Sequence, residues 1–429
     1  MEHRRVHTFL LVVALPLAVV MPERFFHVGG IFLRWDYLLL LPAAFIWLYS
    51  CTFKIGQTEF RYNLSRMESL LIFLIAMFGI MALLRIPSNY PDFGEAVKYA
   101  IWPWKMLIWA MLIRELVVRT LDWDRDLLRS LLTLTFLIFF IQVMELTNSS
   151  FRSLLLDLYP MSAPDRIQEL SYRARAIFSG YDVTSMFFCG MAIIFYHALQ
   201  RDCRINPNVL RLAIVFSAIG AFLAARTGFL LLGFYLFLKL ICRLGHTKKL
   251  LLVITLVVTG SVAHFLPDDV WREGSLMGRY FEVLKIFKRG NPMDVQSFYG
   301  TVYMNLSVFF LNPWEPWLGA GLDIKTTADQ LYAKYLFMFG SIGLAFWSLI
   351  HGLMTWVCAR ASQDQRWPTA TRTYAHSLYH ISMLTFIAHL KGGNYFFAHR
   401  LGDYWFLLLF VVISMRHLPL HHEVADADT

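Results

Sequence analysis

The sequence predicts an all-α polytopic membrane protein, a bundle of about twelve transmembrane helices with one large polar loop. Three observations predict it. Apolar runs close to 20 residues, the length a helix needs to cross hydrocarbon, recur along the whole chain. Charge is scarce: 16% of the 429 residues are charged and 57% are hydrophobic. One long polar stretch, Pro267 to Gln330, interrupts the pattern with WREGSLMGRYFEVLKIFKRGNP (271–292) and NPWEPWLGAGLDIKTTADQ (312–330). We read residues 1–429 as a single membrane domain, with 267–331 a loop outside the cytoplasm, laid over the mouth of the bundle.

The apolar runs place helices at about 7–22, 31–52, 67–85, 98–118, 127–146, 181–199, 209–224, 227–242, 249–266, 332–357, 374–390 and 403–417. The first, MEHRRVHTFLLVVALPLAVV, resembles a signal peptide. No small-x-small cleavage site follows and many spans do, so it reads as an uncleaved first helix. Orientation comes from the basic residues. Arg4, Arg5, Lys54, Arg125, Arg129, Arg201, Arg204, Arg243, Arg360, Arg366 and Arg372 fall on one side, which the positive-inside rule makes cytoplasmic, with both termini there.

The opposite side starts poor in basic residues but does not stay so. Arg173, Arg175, Arg226, Arg272, Arg279, Lys285, Lys288, Arg289, Lys391 and Arg400 all fall on it. Arginine matches phosphate oxygens with two parallel donors and keeps its charge, so this excess suits an anion held at the membrane surface, such as a lipid-linked pyrophosphate. Contact with lipid headgroups is the alternative. The net charge of +9 does not imply nucleic acid, because no basic soluble domain carries it.

Arg226, in AARTGFLLLG, sits between two apolar runs with almost no loop. It is a phosphate clamp or an arginine snorkelling at a helix end. Thr227 and Gly228 beside it allow a tight turn and a close backbone approach. Arg173 and Arg175 precede an apolar helix whose start Asp182 and Thr184 are placed to cap. The two guanidiniums add to the positive end of that helix and favour an anion, or they pair with Asp165 or Glu169. In LMGRYFEVLKIFKRG, apolar residues recur at helical spacing opposite Arg279, Glu282, Lys285, Lys288 and Arg289, as in an interfacial amphipathic helix. Trp314 and Trp317 suit the membrane interface or a sugar face. Asp329 either caps the tenth helix or acts as a general base toward a hydroxyl. Gly340 and Gly343 suit close helix packing. The five cysteines have no metal spacing, and RHLPLHH, with His417, His421 and His422, is a short polar tail rather than a metal site.

These stretches together resemble the O-antigen ligase and Wzy-type polysaccharide polymerase superfamily, over nearly the whole chain. RARAIFSGYDVTSMF is similar to that family's R-x-x-G-x-F-x-x-P-N stretch, with Arg173 on its arginine and Ala176 and Asp182 in place of Gly and Asn. AARTGFLLLG resembles S-R-[ST]-G and puts Arg226 on the arginine. DQLYAKYLFMFGSIGL resembles H-[NSQ]-x9-G-x-x-G, with Gln330, Gly340 and Gly343 in register and Asp329 where a ligase carries histidine.

The resemblance implies a GT-C-like bundle in the bacterial inner membrane whose large periplasmic loop contains short amphipathic helices. It implies a glycosyltransferase acting on undecaprenyl-pyrophosphate-linked glycans. Without the histidine, a polymerase of repeat units is favoured over an O-antigen ligase, with a transporter or flippase of lipid-linked sugars as the reading from another class. Asp329 and Arg226 are the expected catalytic residues, and Arg173, Arg175, Arg226 and Arg279 the expected pyrophosphate ligands. No cofactor or metal is expected. The expected partners are the lipid-linked glycan and the bilayer, with a chain-length regulator as a further candidate.

Overall fold

The computed structural model describes residues 7–20, 66–85, 122–159, 173–201 apart from 179, 203–243, 315–321 and 331–390, with a few isolated positions elsewhere. Expected helices 98–118, 249–266 and 403–417 lie wholly or mostly outside these residues, as do Arg279, Asp329 and the amphipathic stretch around 276–289. Of the expected 31–52 helix only Ile31 and Phe32 are described, and they pair antiparallel with His27 and Val28. The other described elements are helical, and four of them are long and apolar enough to cross a membrane.

A π-turn at Leu10–Ala14 runs into α1 (Leu15–Val20). Then come α2 (Arg66–Leu84), α3 (Trp123–Thr147), the short α4 (Ser149–Leu158), α5 (Tyr181–Leu199), α6 (Pro207–Ala224), α7 (Arg226–Arg243), α8 (Leu331–Gln363) and α9 (Thr369–Ala388). The boundaries follow local chemistry. Asp122 caps α3 by accepting from the Arg125 N–H at 3.4 Å. Asn148 ends α3 and caps α4 through the Phe151 N–H at 3.0 Å. At α6, Asn206 caps and Pro207 follows, where its missing N–H costs nothing. In the turn between α8 and α9, Asp364 accepts from the Arg366 N–H at 3.1 Å and from its guanidinium at 2.8–3.3 Å. Those bonds hold the Asp364 carboxyl down at about 2, so the turn stays tied until pH falls through that value.

Helix α5 is the central element, packed against α3, α6, α7 and α9. Its residues from Thr184 to Phe195 are buried without a break. By contrast α6 leaves Leu212, Val215 and Ile219 exposed, and α7 leaves Phe234, Leu236 and Leu238 exposed. Apolar belts of that kind on long apolar helices suit a lipid surface.

One end of the bundle is tied by Asp124 of α3, which takes the Arg201 guanidinium at 2.5 Å. The Asp124 carbonyl accepts from Tyr374 of α9 at 3.3 Å. The start of α3, the end of α5 and the start of α9 therefore meet, and these helices alternate in direction as the sequence predicts.

Helix α8 is broken. Gly340 has φ +65° inside the 33-residue element. The loop segment Glu315–Gly321 takes over the backbone groups that the break releases. Ala320 and Gly321 donate to the carbonyls of Phe337 and Met338 at 2.7 and 2.9 Å, and the N–H groups of Ser341 and Ile342 donate to Pro316 and Trp317 at 2.8 and 3.3 Å. Arg85, just past α2, donates to the Gly319 carbonyl. A Cβ at Gly340 would run into the Trp317 carbonyl, and one at Gly319 (φ +71°) into the backbone of Met338 and Gly340. Gly340 is thus a docking point for a loop, not for a helix as expected. Gly343 does face a neighbouring helix, at Met81 of α2.

Candidate functional site

The segments carrying Arg173, Arg175 and Arg226 meet where α3 ends, α5 begins and α6 turns into α7. The α6–α7 turn is one residue long: Ala225 is extended (φ −156°, ψ 162°) and Arg226 opens the next helix, half-buried. Gly228 passes so close to α5 that a Cβ there would strike the Ser185 carbonyl, the close approach expected at this glycine. Ser185 Oγ lies 2.9 and 2.8 Å from the carbonyls of Ala221 and Ala225.

Residues 173–178 form a strap laid against this turn. The Ala174 N–H donates to the Leu223 carbonyl at 3.2 Å. Gln142 of α3 donates Nε2 to the carbonyls of Ala174 (3.3 Å) and Gly220 (3.0 Å), joining strap and α6 through one buried amide. Glu145, one turn further, accepts from the backbone N–H of Arg175 at 3.0 Å and of Ala176 at 2.7 Å. Two amide donors stabilise a buried carboxylate that burial alone would disfavour. Ala176 is left-handed, φ +50°, at the position where the resembling motif carries glycine.

The expected cap on α5 is not made. Gly180 is the N-cap residue and has no side chain to offer. Asp182 instead accepts from Thr227 of α7 at 2.7 Å, and Thr184 donates to the Arg175 carbonyl at 2.6 Å. Both residues join segments rather than close a helix end, because the strap and α7 lie within reach of the first turn.

The two strap arginines differ. Arg175 is fully buried, and its terminal nitrogens donate to the carbonyls of Phe178 (3.4 Å) and Leu155 (3.2 Å). Its guanidinium supports the strap from within instead of pointing to an exposed anion. Arg173 is half-buried at the strap's edge, with Arg226 on the adjoining turn. Arg152, which sequence reasoning missed, reaches from α4 to the Arg173 carbonyl (3.3 Å) and Tyr181 Oη (3.4 Å). Its signal was the N-S-S-F-R run, an asparagine cap opening a short helix beyond α3. Arg152, Arg173 and Arg226 thus lie on three segments that meet at this junction: α4, the strap and the start of α7. Among the predicted site residues, Arg173, Arg175 and Arg226 share the junction.

A second polar cluster lies at the other end of α5, where His197 meets His376 and His380 of α9. No family model matches the chain, and no curated protein is significantly similar to it.

Proposed function

We propose that the protein is a glycosyltransferase that joins undecaprenyl-pyrophosphate-linked repeat units into a polysaccharide on the periplasmic side of the bacterial inner membrane. The observation that carries the reading is the junction itself. The segments bearing Arg173 and Arg226 are hydrogen-bonded to one another through Ala174 and Leu223, with Arg152 bonded to the same strap. Preplaced guanidiniums are what a departing lipid pyrophosphate requires, since negative charge grows on it as its bond to the sugar breaks. The left-handed Ala176 supports the motif assignment, because glycine is the residue that conformation favours.

In this mechanism the acceptor hydroxyl attacks the anomeric carbon of the donor glycan. A new C–O bond forms, the bond to the pyrophosphate breaks, and the hydroxyl proton passes to the Asp329 carboxylate. Arg173 and Arg226 hold the pyrophosphate as it leaves, and single displacement inverts the anomeric centre. Arg175 and Glu145 hold the strap in shape.

The test is to incubate purified protein with a lipid-linked repeat unit alone. Ladders of increasing length support a polymerase. Transfer that needs an added lipid A-core or protein acceptor makes it a ligase. One observation favours a second reading, a transporter of lipid-linked sugars: α8 is a discontinuous helix, a feature of transporter sites. Movement of a labelled lipid-linked sugar across proteoliposomes, without polymer formation, would establish that reading in place of the first.

A further inference from the structure

Three imidazoles converge at the end of the bundle away from Arg173 and Arg226. His197 lies in the last turn of α5, and His376 and His380 stand one turn apart on α9. One nitrogen from each lies within 4.8 Å of the others. The ring centroids are 4.6 Å (His197–His376), 5.6 Å (His197–His380) and 4.5 Å (His376–His380) apart. His197 is buried and the other two are half-buried, so the cluster is walled on one side and reachable on the other.

The geometry is that of a ligand set. The Nε2 atoms of His376 and His380 are 3.2 Å apart. Two imidazole nitrogens on one tetrahedral zinc, each at about 2.0–2.1 Å, stand about 3.3 Å from one another. Histidines at i and i+4 of a helix place both rings on one face, where they can share an ion. The third ring comes from a helix packed against the first. Tyr235 Oη of α7, 2.7 Å from His197 Nε2, orients that ring as an outer hydrogen-bond partner does for a metal-bound histidine. Lys239 is the opposing feature, with its ammonium 5.6 Å from the Tyr235 ring centre. Its stem is long and flexible, so the charged head can swing away from an ion.

We propose that His197, His376 and His380 bind one divalent transition-metal ion of the zinc class, which fastens α5 to α9. Three protein ligands leave a fourth position for water. His197 follows Tyr181 by sixteen helical steps along α5, about 24 Å along the axis, so the ion takes no part in chemistry at the arginine junction. The proposal stands independently of the glycosyltransferase reading.

The experiment uses the full chain in detergent, purified without a histidine tag, with His417, His421 and His422 changed to glutamine. The protein is stripped with a chelator and titrated with Co2+. The expected result is the visible absorption of tetrahedral cobalt at one ion per chain, displaced by Zn2+. The combined His376→Gln and His380→Gln variant should weaken binding at least about tenfold, and Tyr235→Phe should do so by about tenfold. Lys239→Met should tighten it, a result that a purely structural lysine would not give. Gel filtration and circular dichroism check that each variant is folded. If the double variant does not fold, the single His380→Gln variant takes its place in the same titration. Absence of the cobalt spectrum from the stripped parent protein, or its persistence unchanged in the His variants, overturns the proposal.

Discussion

Glu145 and Arg175 meet through the backbone: the carboxylate accepts the Arg175 N–H at 3.0 Å, and the guanidinium donates to the carbonyls of Leu155 and Phe178. The carboxylate is therefore a clasp for the strap, which it holds together with the Ala176 N–H. Glu145→Ala leaves two buried amides without their acceptor and should cost roughly 2–6 kcal/mol, at 1–3 kcal/mol per orphaned group. Unfolding of the purified protein in mild detergent measures it.

Ala176 holds a backbone conformation that L-residues adopt at a cost of about 1–2 kcal/mol. Ala176→Gly removes that strain but adds freedom to the unfolded chain. The net expectation is a gain in stability of about 0.5–1 kcal/mol with activity retained. An unchanged or lowered unfolding midpoint would mean that the strap does not need a left-handed residue there.

The break in α8 makes Gly340 and Gly319 hard to replace. Gly340→Ala puts a methyl group against the Trp317 carbonyl at a positive φ, and should cost more than about 2 kcal/mol. Gly352, with open space around it, is the control: Gly352→Ala should be neutral or stabilising.

Arg201 and Asp124 form a buried pair, with side chains 8% and 10% exposed. Burial works against the charge on Arg201, yet Asp124 carries its pKa above the ordinary value, so the guanidinium stays charged at any working pH. Arg201→Ala strands the carboxylate and should cost about 3–5 kcal/mol. Adding Asp124→Asn should recover part of that loss, and a double-mutant cycle reads the coupling.

For the proposed reaction, Arg226→Ala or Arg173→Ala should lower the rate of chain growth about 10²–10³-fold while the protein stays inserted and folded. Arg226→Lys should restore little, since a lysine cannot present two parallel donors. Normal polymer length and yield from Arg226→Ala would remove that residue from the donor clamp. Normal turnover by Asp329→Asn would remove Asp329 as the base.

The apolar runs made most of the helices readable. The run at 181–199 has the observed bounds of α5, and α6, α7 and α8 begin within two residues of expectation. An uninterrupted apolar stretch leaves the chain little choice but to satisfy its own backbone groups as a helix. Arg173 and Arg226 were legible as costly charges beside apolar runs. The inward turn of Arg175 was not, because its partners are carbonyls, and every residue has one. The docking of 316–321 onto α8 was hidden for the same reason. His376 and His380 were readable as an i, i+4 pair, but His197 joins them only through the packing of α5 on α9.

The bonds between 316–321 and 337–342 act as a splice between two distant stretches of chain. A splice fixes register: inserting one residue into either strand of it would misalign every bond beyond the insertion. Homologous chains should therefore keep both spliced segments free of insertions and deletions.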